Sequence, residues 1–384
     1  SGAPLRTYSL LRRVAKEHEV WLVAFQETLE HASGLIHMQK FCQGIETAHL
    51  QELGALAHPI TLFRYLLTGK PPDLRLLYSQ ALAEKIRCLS SKVDFDVVQI
   101  EHSHMALYLE ALPRRMHSRT TLMLHDVVFN KYDRIYRLEP KLARKLRLWL
   151  HSRMMRWWEP RYAERFGRCI TVSDSDRKLL LMTNPRLQVD VVPNGVDIKK
   201  YHMLPSASTK PVILFVGNME YRPNVDAMIY FCQEVLPHIR REIADVEMWI
   251  VGINPQVGIK RLSGNGVHVT GRVDDVRPYY GKSTVCVVPL RAGGGTRLKI
   301  LEAMALGRPV ISTSIGCEGL DVIDGEHILI ADSPGAFVEE TVHLLKDAEL
   351  RKCITAKARQ LVVDRYDWDV ITRKLMRIYT EMIE

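Results

Sequence analysis

The segment 284–307 constrains the fold more than any other part of the chain. An apolar run, Thr284 to Val288, is followed after a short loop by three consecutive glycines, Gly293 to Gly295. A helical pattern then runs from Thr296 to Leu306 and stops at a further glycine. A strand, a glycine loop and a helix in this order are typical of a ligand-binding edge of a parallel α/β sheet.

The charges of this segment suit a phosphorylated ligand. Glycines let a ligand approach the backbone, and the first turn of a helix offers unpaired N–H groups at the positive end of its dipole. Arg297 and Lys299 add full positive charge there, which fits a diphosphate. Glu302 would repel phosphates, but it could accept hydrogen bonds from a pair of ribose hydroxyls. The alternative is an ordinary strand–loop–helix unit with solvated basic residues.

The segment also resembles a known signature. Residues 287–320, VVPLRAGGGTRLKILEAMALGRPVISTSIGCEGL, are similar to the donor site of glycosyltransferase family 4, a group of retaining sugar transferases with the GT-B fold. Other blocks resemble the family in the same order: VVPNGVD, PVILFVGNMEYRPNVDAMIYF, VHVTGRVDDVRPYY and YDWDVITRKLMRIY. Weaker matches in the N-terminal half are SGAPLRTYSLL, LMLHDVV and ITVSDSDRKLLL. Together they look closest to bacterial transferases that build surface polysaccharides.

The resemblance implies a donor site residue by residue. The nucleotide sugar would be bound by Gly2, Gly217, Arg222, Arg272, Val273, Gly293, Gly294, Gly295, Thr296, Leu298 and Glu302, while Arg297 and Lys299 would act in catalysis on the departing diphosphate. Two positions depart from the family. Gly294 stands where many members have a sugar-binding glutamate, so backbone N–H groups would hold the sugar. After Gly217 the usual arginine and lysine are missing, and Arg222 is their expected substitute.

Polar residues end two apolar runs of the N-terminal half. The runs Phe95 to Glu101 and Thr120 to His125 are predicted to be strands, and ligands of open α/β sheets bind at the carboxyl ends of strands. The resemblance implies that His125 is catalytic and contacts the transferred sugar. We expect the acceptor to be bound by Arg6, Glu101 and Asp126. The alternatives are a structural histidine and an aspartate that caps a turn or helix.

Strand and helix patterns alternate along the whole chain, which predicts doubly wound parallel sheets. With the resemblance, this predicts two Rossmann-like domains facing across a cleft: an acceptor domain over 1–205, on which a helix 366–384 packs back, and a donor domain over 206–365. The start, SGAP, looks like a glycine loop before a helix Leu5 to Ala15. We therefore expect a first strand to precede residue 1.

Composition excludes several classes of protein. The seven cysteines are scattered and form no CxxC pair, which favours reduced thiols in the cytoplasm over a disulfide framework or structural zinc. No apolar run reaches the roughly 20 residues of a membrane span. Asp174 to Asp176 could be a DxD metal motif, but Ser173 and Asp176 at the head of a helical run predict a capping box. We expect neither a metal nor a cofactor besides the nucleotide sugar, with UDP or GDP favoured.

The net charge of +9 is concentrated in one segment. Residues 131–168 hold twelve basic residues against four acidic ones, with Trp149, Trp157 and Trp158 interleaved. Three interpretations are open: a solvated, salt-bridged helix pair, a surface for an anionic membrane or a lipid-diphosphate acceptor, and a nucleic-acid site. No recognised nucleic-acid module accompanies the charge, so we expect no nucleic-acid partner.

The sequence therefore predicts a retaining glycosyltransferase that is cytoplasmic or peripheral on the inner face of a membrane. It would transfer a sugar from a nucleotide-diphosphate sugar to a hydroxyl of a glycan or lipid-linked glycan in polysaccharide biosynthesis. The alternatives are an epimerase or phosphorylase of the same fold, and a non-catalytic protein that binds nucleotide sugars or glycans.

Overall fold

A computed structural model describes residues 2–26, 32–49, 71, 74, 77–137, 139–205 and 210–384. The chain divides into two compact units. The N-terminal unit contains Ala3–Pro193 and Thr372–Glu384, and the C-terminal unit contains Gly2 and Asn194–Ile371. The division therefore falls after Gly2, between Pro193 and Asn194, and again within the last helix.

The described strands of the N-terminal unit are all paired in parallel. Two of them form a small sheet, β1 (Trp21–Gln26) and β2 (Gly44–His49). The others form a sheet in the order β3-β4-β5-β6, namely Val98–Glu101, Thr120–Leu124, Arg168–Thr171 and Val189–Val191. Every residue of β4 is buried, as in a parallel strand that is covered on both faces.

The helices of this unit cover its sheets. They are α1 (Gly2–Val14), α2 (Ala32–Met38), α3 (Gln80–Lys92), α4 (Val128–Arg137), α5 (Leu142–Ala163) and α6 (Asp174–Thr183), with 3₁₀ helices at Ser103–Ala111 and Arg114–Arg119. Helix α1 begins at Gly2, so the predicted glycine loop before Leu5 is wrong: Pro4 lies in the first helical turn, where its missing N–H needs no partner. Ser1 lies outside the described residues, and the strand expected before it stays a prediction.

The C-terminal unit is built on one parallel sheet in the order β12-β11-β10-β7-β8-β9. Its strands are β7 (Val212–Val216), β8 (Glu247–Val251), β9 (Val267–Val269), β10 (Val285–Val288), β11 (Val310–Ser312) and β12 (Leu329–Ile330). After β7 the chain adds β8 and β9 on one side of that strand, and it then adds β10, β11 and β12 on the other side. This reversal makes the sheet doubly wound, as predicted.

The helices of the C-terminal unit are α7 (Arg222–Tyr230), α8 (Leu236–Glu242), α9 (Val257–Lys260), α10 (Arg277–Lys282), α11 (Leu298–Ala305), α12 (Pro334–Lys346), α13 (Ala348–Arg365) and α14 (Trp368–Ile383). The sequence pattern of residues 224–239 predicts one continuous helix, but a π-helical turn at Phe231–Val235 interrupts it. Pro237 explains the interruption, because its ring and missing N–H are incompatible with the interior of a regular α-helix.

The last helix contributes to both units. Its residues up to Ile371 belong to the C-terminal unit, and those from Thr372 belong to the N-terminal unit. Within the N-terminal unit, Tyr379 Oη donates a hydrogen bond to Gln99 Oε1 over 2.5 Å, and Glu381 pairs with Arg168 over 3.2 Å. The end of the chain is thus bonded to strands β3 and β5.

The Asp174-Ser175-Asp176 triplet begins helix α6, as the capping prediction required. Ser173 Oγ accepts the backbone N–H of Asp176 over 3.1 Å and donates to Asp176 Oδ2 over 2.7 Å. Asp174 pairs with Arg177 and Lys178 on the same helix. Both carboxylates are therefore engaged locally, and the capping prediction is confirmed.

We expect Ser173→Ala to lower the free energy of unfolding by about 1 kcal/mol, because the first turn of α6 loses the acceptor of its N–H group. Chemical denaturation of the purified protein measures this change. Ser91→Ala, which removes an exposed hydroxyl inside α3, serves as the control and should change stability much less. Equal stability of Ser173→Ala and the unaltered protein would contradict the cap.

Candidate functional site

Two loops lie together at the carboxyl edge of the C-terminal sheet. Strands β7 and β10 are hydrogen-bonded neighbours, and the order of the chain reverses between them. Gly217 follows β7 directly, and the glycines 293–295 follow β10 after a few residues. Ligands of open parallel sheets bind at such a reversal, outside the ends of the strands. The candidate donor site is therefore built around these two loops.

Two glycines of the loop adopt backbone angles that other residues rarely tolerate. Gly293 has a φ of 122° and Gly295 a φ of 67°. A Cβ atom at Gly293 would also lie 2.9 Å from Arg297 Nη2 and 3.1 Å from Tyr221 Oη. The glycines are thus required by the course of the loop itself.

The side chain of Arg297 is hydrogen-bonded to the backbone of the glycine loop. Its Nη1 donates to the backbone carbonyls of Gly294 and Gly295. Helix α11 consequently begins at Leu298, with Arg297 at the N-cap, and the predicted start at Thr296 is wrong. Thr296 lies before the helix, where its hydroxyl accepts a hydrogen bond of 2.6 Å from Asn194 Nδ2. No sequence pattern indicates this partner, because Asn194 is distant from Thr296 in the chain.

The amino group of Lys299 lies beside Gly217 in a desolvated position. Its Nζ lies 3.7 Å from the centre of the Phe215 ring and donates to Asn224 Oδ1 over 3.2 Å. Burial, assisted by the charge of Arg297, lowers the pKa of Lys299 well below 10.5. Asn224 is itself fixed by a bond of 2.8 Å from its Nδ2 to the carbonyl of Asn218. The ammonium group is thus oriented before any ligand binds.

Glu302 lies on the same helix as Lys299 and faces two tyrosines. Its carboxylate accepts long hydrogen bonds from Tyr201 Oη, at 3.4 Å, and Tyr280 Oη, at 3.5 Å. Burial raises the pKa of Glu302, although these hydroxyls and the charge of Lys299 oppose that shift. A carboxylate offers about four acceptor positions, so two tyrosine contacts leave room for further hydroxyl donors.

The other residues predicted for the donor occupy the same edge of the sheet, with one exception. Arg222 is the first residue of α7 and Leu298 the first of α11. Arg272 and Val273 follow β9 and line a surface pocket of about 520 Å³ with Trp249 and Tyr279. The exception is Gly2, which is not part of this sheet edge: it is the first residue of α1, is grouped with the C-terminal unit, and its role in donor binding stays a prediction.

His125 and Glu101 meet at the carboxyl ends of two adjacent strands in the N-terminal unit. His125 Nε2 lies 2.5 Å from Glu101 Oε2, and the ring of His102 stacks on His125 with centroids 4.1 Å apart. Burial favours the protonated form of Glu101, but the hydrogen bond and charge of His125 and the charge of Arg6 outweigh it and lower the pKa. Burial and the charge of His125 lower the pKa of His102 to about 4.

Asp126 forms an ion pair of 3.0 Å with Lys131. Burial alone would raise the pKa of Asp126, but the charge and hydrogen bond of Lys131 outweigh it, so the pKa is lowered. The carboxylate is therefore ionised and partly neutralised by a residue of α4.

Glu159 of α5 is a buried acid that sequence reasoning missed. Its carboxylate accepts the hydroxyl of Ser103 and the backbone N–H groups of Val128, at 3.3 Å, and Phe129, at 3.4 Å. Burial raises its pKa to about 7. These bonds fix the first turn of α4, directly after His125 and Asp126. In the sequence, Glu159 is only one of four acids within a basic segment.

The structure does not support direct binding of an acceptor by Arg6. The side chain is completely buried, and its guanidinium donates to the carbonyls of Pro193, at 2.5 Å, and Val192, at 2.7 Å. Burial lowers its pKa to about 10, while the charge of Glu101 opposes that shift. Arg6 therefore acts within the N-terminal unit, where its charge favours ionised Glu101.

Within the described ranges of the chain, no group of three or more His, Cys, Asp or Glu residues is placed to hold a metal ion. No helix in that part of the chain is both long enough and apolar enough to cross a bilayer.

Comparison with known proteins identifies the family. A model described as Glycosyltransferase Family 4 matches residues 1–200, and one described as Glycosyl transferases group 1 matches residues 210–347. The first match alone spans more than half of the chain, so the protein belongs to glycosyltransferase family 4. It is therefore a glycosyltransferase, and its two parallel α/β units represent the GT-B fold.

Individual relatives share 30% or less of their residues with this chain over the matched segments. A phosphatidyl-myo-inositol mannosyltransferase of Mycobacterium leprae is 26% identical over 79% of this chain and 78% of its own length. A 44.6 kDa protein of the cps region of Klebsiella pneumoniae is 30% identical over 40% of this chain, a match that spans only 42% of that protein.

Solved structures share the fold at low identity. HepE from Anabaena, in complex with UDP and glucose, has a TM-score of 0.68 at 15% identity and covers 99% of this chain and 96% of its own. Sucrose-phosphate synthase from Thermosynechococcus elongatus has a TM-score of 0.65 at 16% identity, with coverage of 95% and 99%.

We expect Gly217→Ala to weaken the binding of a nucleoside diphosphate by about tenfold or more. The new Cβ would lie 2.9 Å from both Lys299 Nζ and Asn224 Nδ2, so the ammonium group must move from its position. Calorimetric titration with UDP and GDP measures the change. Gly335→Ala, at a position with open space around the new Cβ, is the matched control. Unchanged affinity in folded Gly217→Ala would exclude Lys299 from the binding site.

Proposed function

We propose that this glycosyltransferase moves a sugar from a nucleotide-diphosphate sugar to a hydroxyl of a glycan or lipid-linked glycan, with retention of configuration. The observation that carries the proposal is the buried ammonium of Lys299 beside Gly217, on the helix that also presents Glu302. UDP in the HepE structure and the lipid named for the mycobacterial enzyme support the choice of donor and acceptor classes.

The leaving group determines which residues the reaction needs. A nucleoside diphosphate departs as an anion, so fixed positive charge stabilises the transition state more than a strong general acid would. Lys299 supplies that charge from a desolvated position, and the first N–H groups of α11 add partial charge. Arg297 has a second task, because its guanidinium also holds the carbonyls of Gly294 and Gly295.

The donor sugar and ribose require hydrogen bonds rather than charge. Backbone N–H groups of the glycine loop and Thr296 would hold the sugar hydroxyls in place of a glutamate. Glu302 would accept the two ribose hydroxyls at positions that Tyr201 and Tyr280 leave open. Arg222, Arg272 and Val273 would complete the donor site.

His125 is the proposed contact of the N-terminal unit with the transferred sugar. An ionised Glu101 accepts a hydrogen bond from Nε2–H of His125, which fixes the ring and leaves Nδ1 for a sugar hydroxyl. Asp126 would bind the acceptor substrate. With retention, the departing phosphate oxygen takes the acceptor proton on the same face of the sugar, and no enzymic nucleophile is needed.

Three other functions make different predictions in the same assays. An epimerase converts the donor without an acceptor, a phosphorylase depends on free phosphate, and a non-catalytic binder shows nucleotide affinity without turnover. All seven cysteines are free thiols, which supports a cytoplasmic site of action. A screen of UDP-, GDP-, ADP- and dTDP-sugars by thermal shift, followed by donor hydrolysis, distinguishes these cases.

We expect Glu302→Gln to weaken the binding of the nucleoside diphosphate by about 1 to 3 kcal/mol, because the amide accepts hydroxyl donors less strongly than a carboxylate. Deoxyribose nucleotides should lose less affinity on this substitution than ribonucleotides. Glu339→Gln removes an exposed charge in α12 and is the control. A folded Glu302→Gln protein with unchanged affinity would remove the ribose role.

We expect Lys299→Ala to reduce turnover by about 100-fold, while EDTA leaves turnover largely intact.

The lowered pKa of Lys299 also predicts a pH dependence of nucleotide binding. At pH values above that pKa the amino group of the free protein is mainly neutral, and binding of an anion favours its protonated form, so the complex takes up a proton. Affinity for UDP or GDP should therefore fall as pH rises at values below 10.5, with proton uptake visible by calorimetry in different buffers. Lys299→Arg should flatten this dependence, since arginine stays charged. A Lys299→Arg profile that matches the unaltered protein would contradict the assignment.

A further inference from the structure

One face of helix α5 is packed against the N-terminal unit, and the opposite face is exposed and carries large apolar side chains. His151, Met155, Trp158, Glu159 and Tyr162 are buried against the N-terminal unit. Opposite them, at helical spacings of three and four residues, are five large apolar side chains with exposed fractions between 39% and 81%: Leu142, Leu146, Trp149, Leu150 and Trp157. We call these five residues the apolar stripe. At 1.5 Å per residue it is about 22 Å long.

The charge beside the apolar stripe has a single sign. Helix α5 carries six basic residues, Arg144, Lys145, Arg147, Arg153, Arg156 and Arg161, and its one acidic residue, Glu159, is buried. Arg153 lies over the ring of Trp149 and Arg161 over that of Trp157, at 5.7 Å and 4.7 Å from the ring centres. The guanidinium groups therefore border the exposed tryptophans.

Helix α5 differs from the rest of the basic segment, residues 131–168, in the pairing of its charges. Lys131, Arg137 and Arg168 form ion pairs with Asp126, Asp133 and Asp190, which makes that part a salt-bridged surface. On α5, Arg144 pairs with Glu139, but the exposed face combines apolar groups with positive charge. The interpretation as a salt-bridged surface thus fits that part of the segment, whereas the exposed face of α5 has a different character.

We propose that the apolar stripe of α5 inserts into the headgroup region of a bilayer that contains anionic lipid. Leucine and tryptophan side chains would lie at the boundary between headgroups and acyl chains, and the flanking arginines would contact lipid phosphates. The positive sign of the surrounding charge favours an anionic lipid surface over a second copy of this chain, whose identical basic face would repel it. The inference concerns attachment and does not depend on the reaction proposed above.

The test compares binding to vesicles of phosphatidylcholine alone with binding to vesicles that also contain phosphatidylglycerol. Co-sedimentation of the full chain measures the partition coefficient, and tryptophan fluorescence reports transfer of Trp149 and Trp157 to an apolar environment. We expect binding and a blue shift only with phosphatidylglycerol, and both effects should weaken as salt is raised.

Two triple variants separate the contributions of apolar contact and charge. Leu146→Ser with Leu150→Ser and Trp157→Ser should lower the partition coefficient by about tenfold or more. Its matched control is Ile36→Ser with Met182→Ser and Ile383→Ser, at positions of the same unit with exposed fractions of 55% to 82%.

Charge reversal at Arg147, Arg153 and Arg161 to Glu should lower the partition coefficient by about a hundredfold. Reversal at Lys352, Arg373 and Lys374 changes the net charge equally at exposed positions outside α5 and should have a much smaller effect. Circular dichroism and affinity for UDP or GDP verify that each variant is folded, independently of turnover.

Three results would overturn the proposal. One is an unaltered protein that does not bind phosphatidylglycerol vesicles. Another is a stripe variant that binds them as well as its control does. The third is a dimer in solution that the stripe substitutions dissociate while vesicle binding is absent, which would assign the stripe to a second copy of the chain.

Discussion

The candidate donor site depends on the parallel pairing of β7 with β10. Because parallel neighbours end at the same edge of a sheet, the loops after both strands must lie side by side, although they are far apart in the chain. This pairing brings Gly217 next to Lys299 and Asn224, with no room for a side chain at Gly217. The backbone of one loop and the charge of the other thus form a single surface.

Titratable groups that are removed from water are stable in both units only because each has specific partners. Lys299 contacts an aromatic ring and an amide oxygen, Arg6 contacts two carbonyls, and Glu159 accepts two N–H groups and a hydroxyl. An unpaired charge in these positions would cost several kcal/mol, so each partner is as necessary as the charge itself. The pKa of each of these three groups is shifted, and burial is the main cause.

Local patterns predicted much of this architecture. The apolar runs of β4 and β10 predicted strands close to their observed bounds, since a strand that is buried on both faces needs continuous apolar sequence. The cap at Ser173 was also predictable, because all of its atoms lie within four residues. Strand β2 was missed: its sequence, GIETAH, has only Ala48 buried and no apolar run.

The sequence by itself determined the strands, the glycine loop, the order of charges along α11 and the resemblance to the family, because each depends on residues that are close in the chain. Only the tertiary structure decided which partners those charges have. Asn224 for Lys299, Tyr201 and Tyr280 for Glu302, and Pro193 for Arg6 come from distant segments. It also decided that Arg6 is buried and that one face of α5 is exposed. The physical reason is that burial and long-range hydrogen bonds arise from packing between elements, whereas a sequence pattern records only the periodicity within each element.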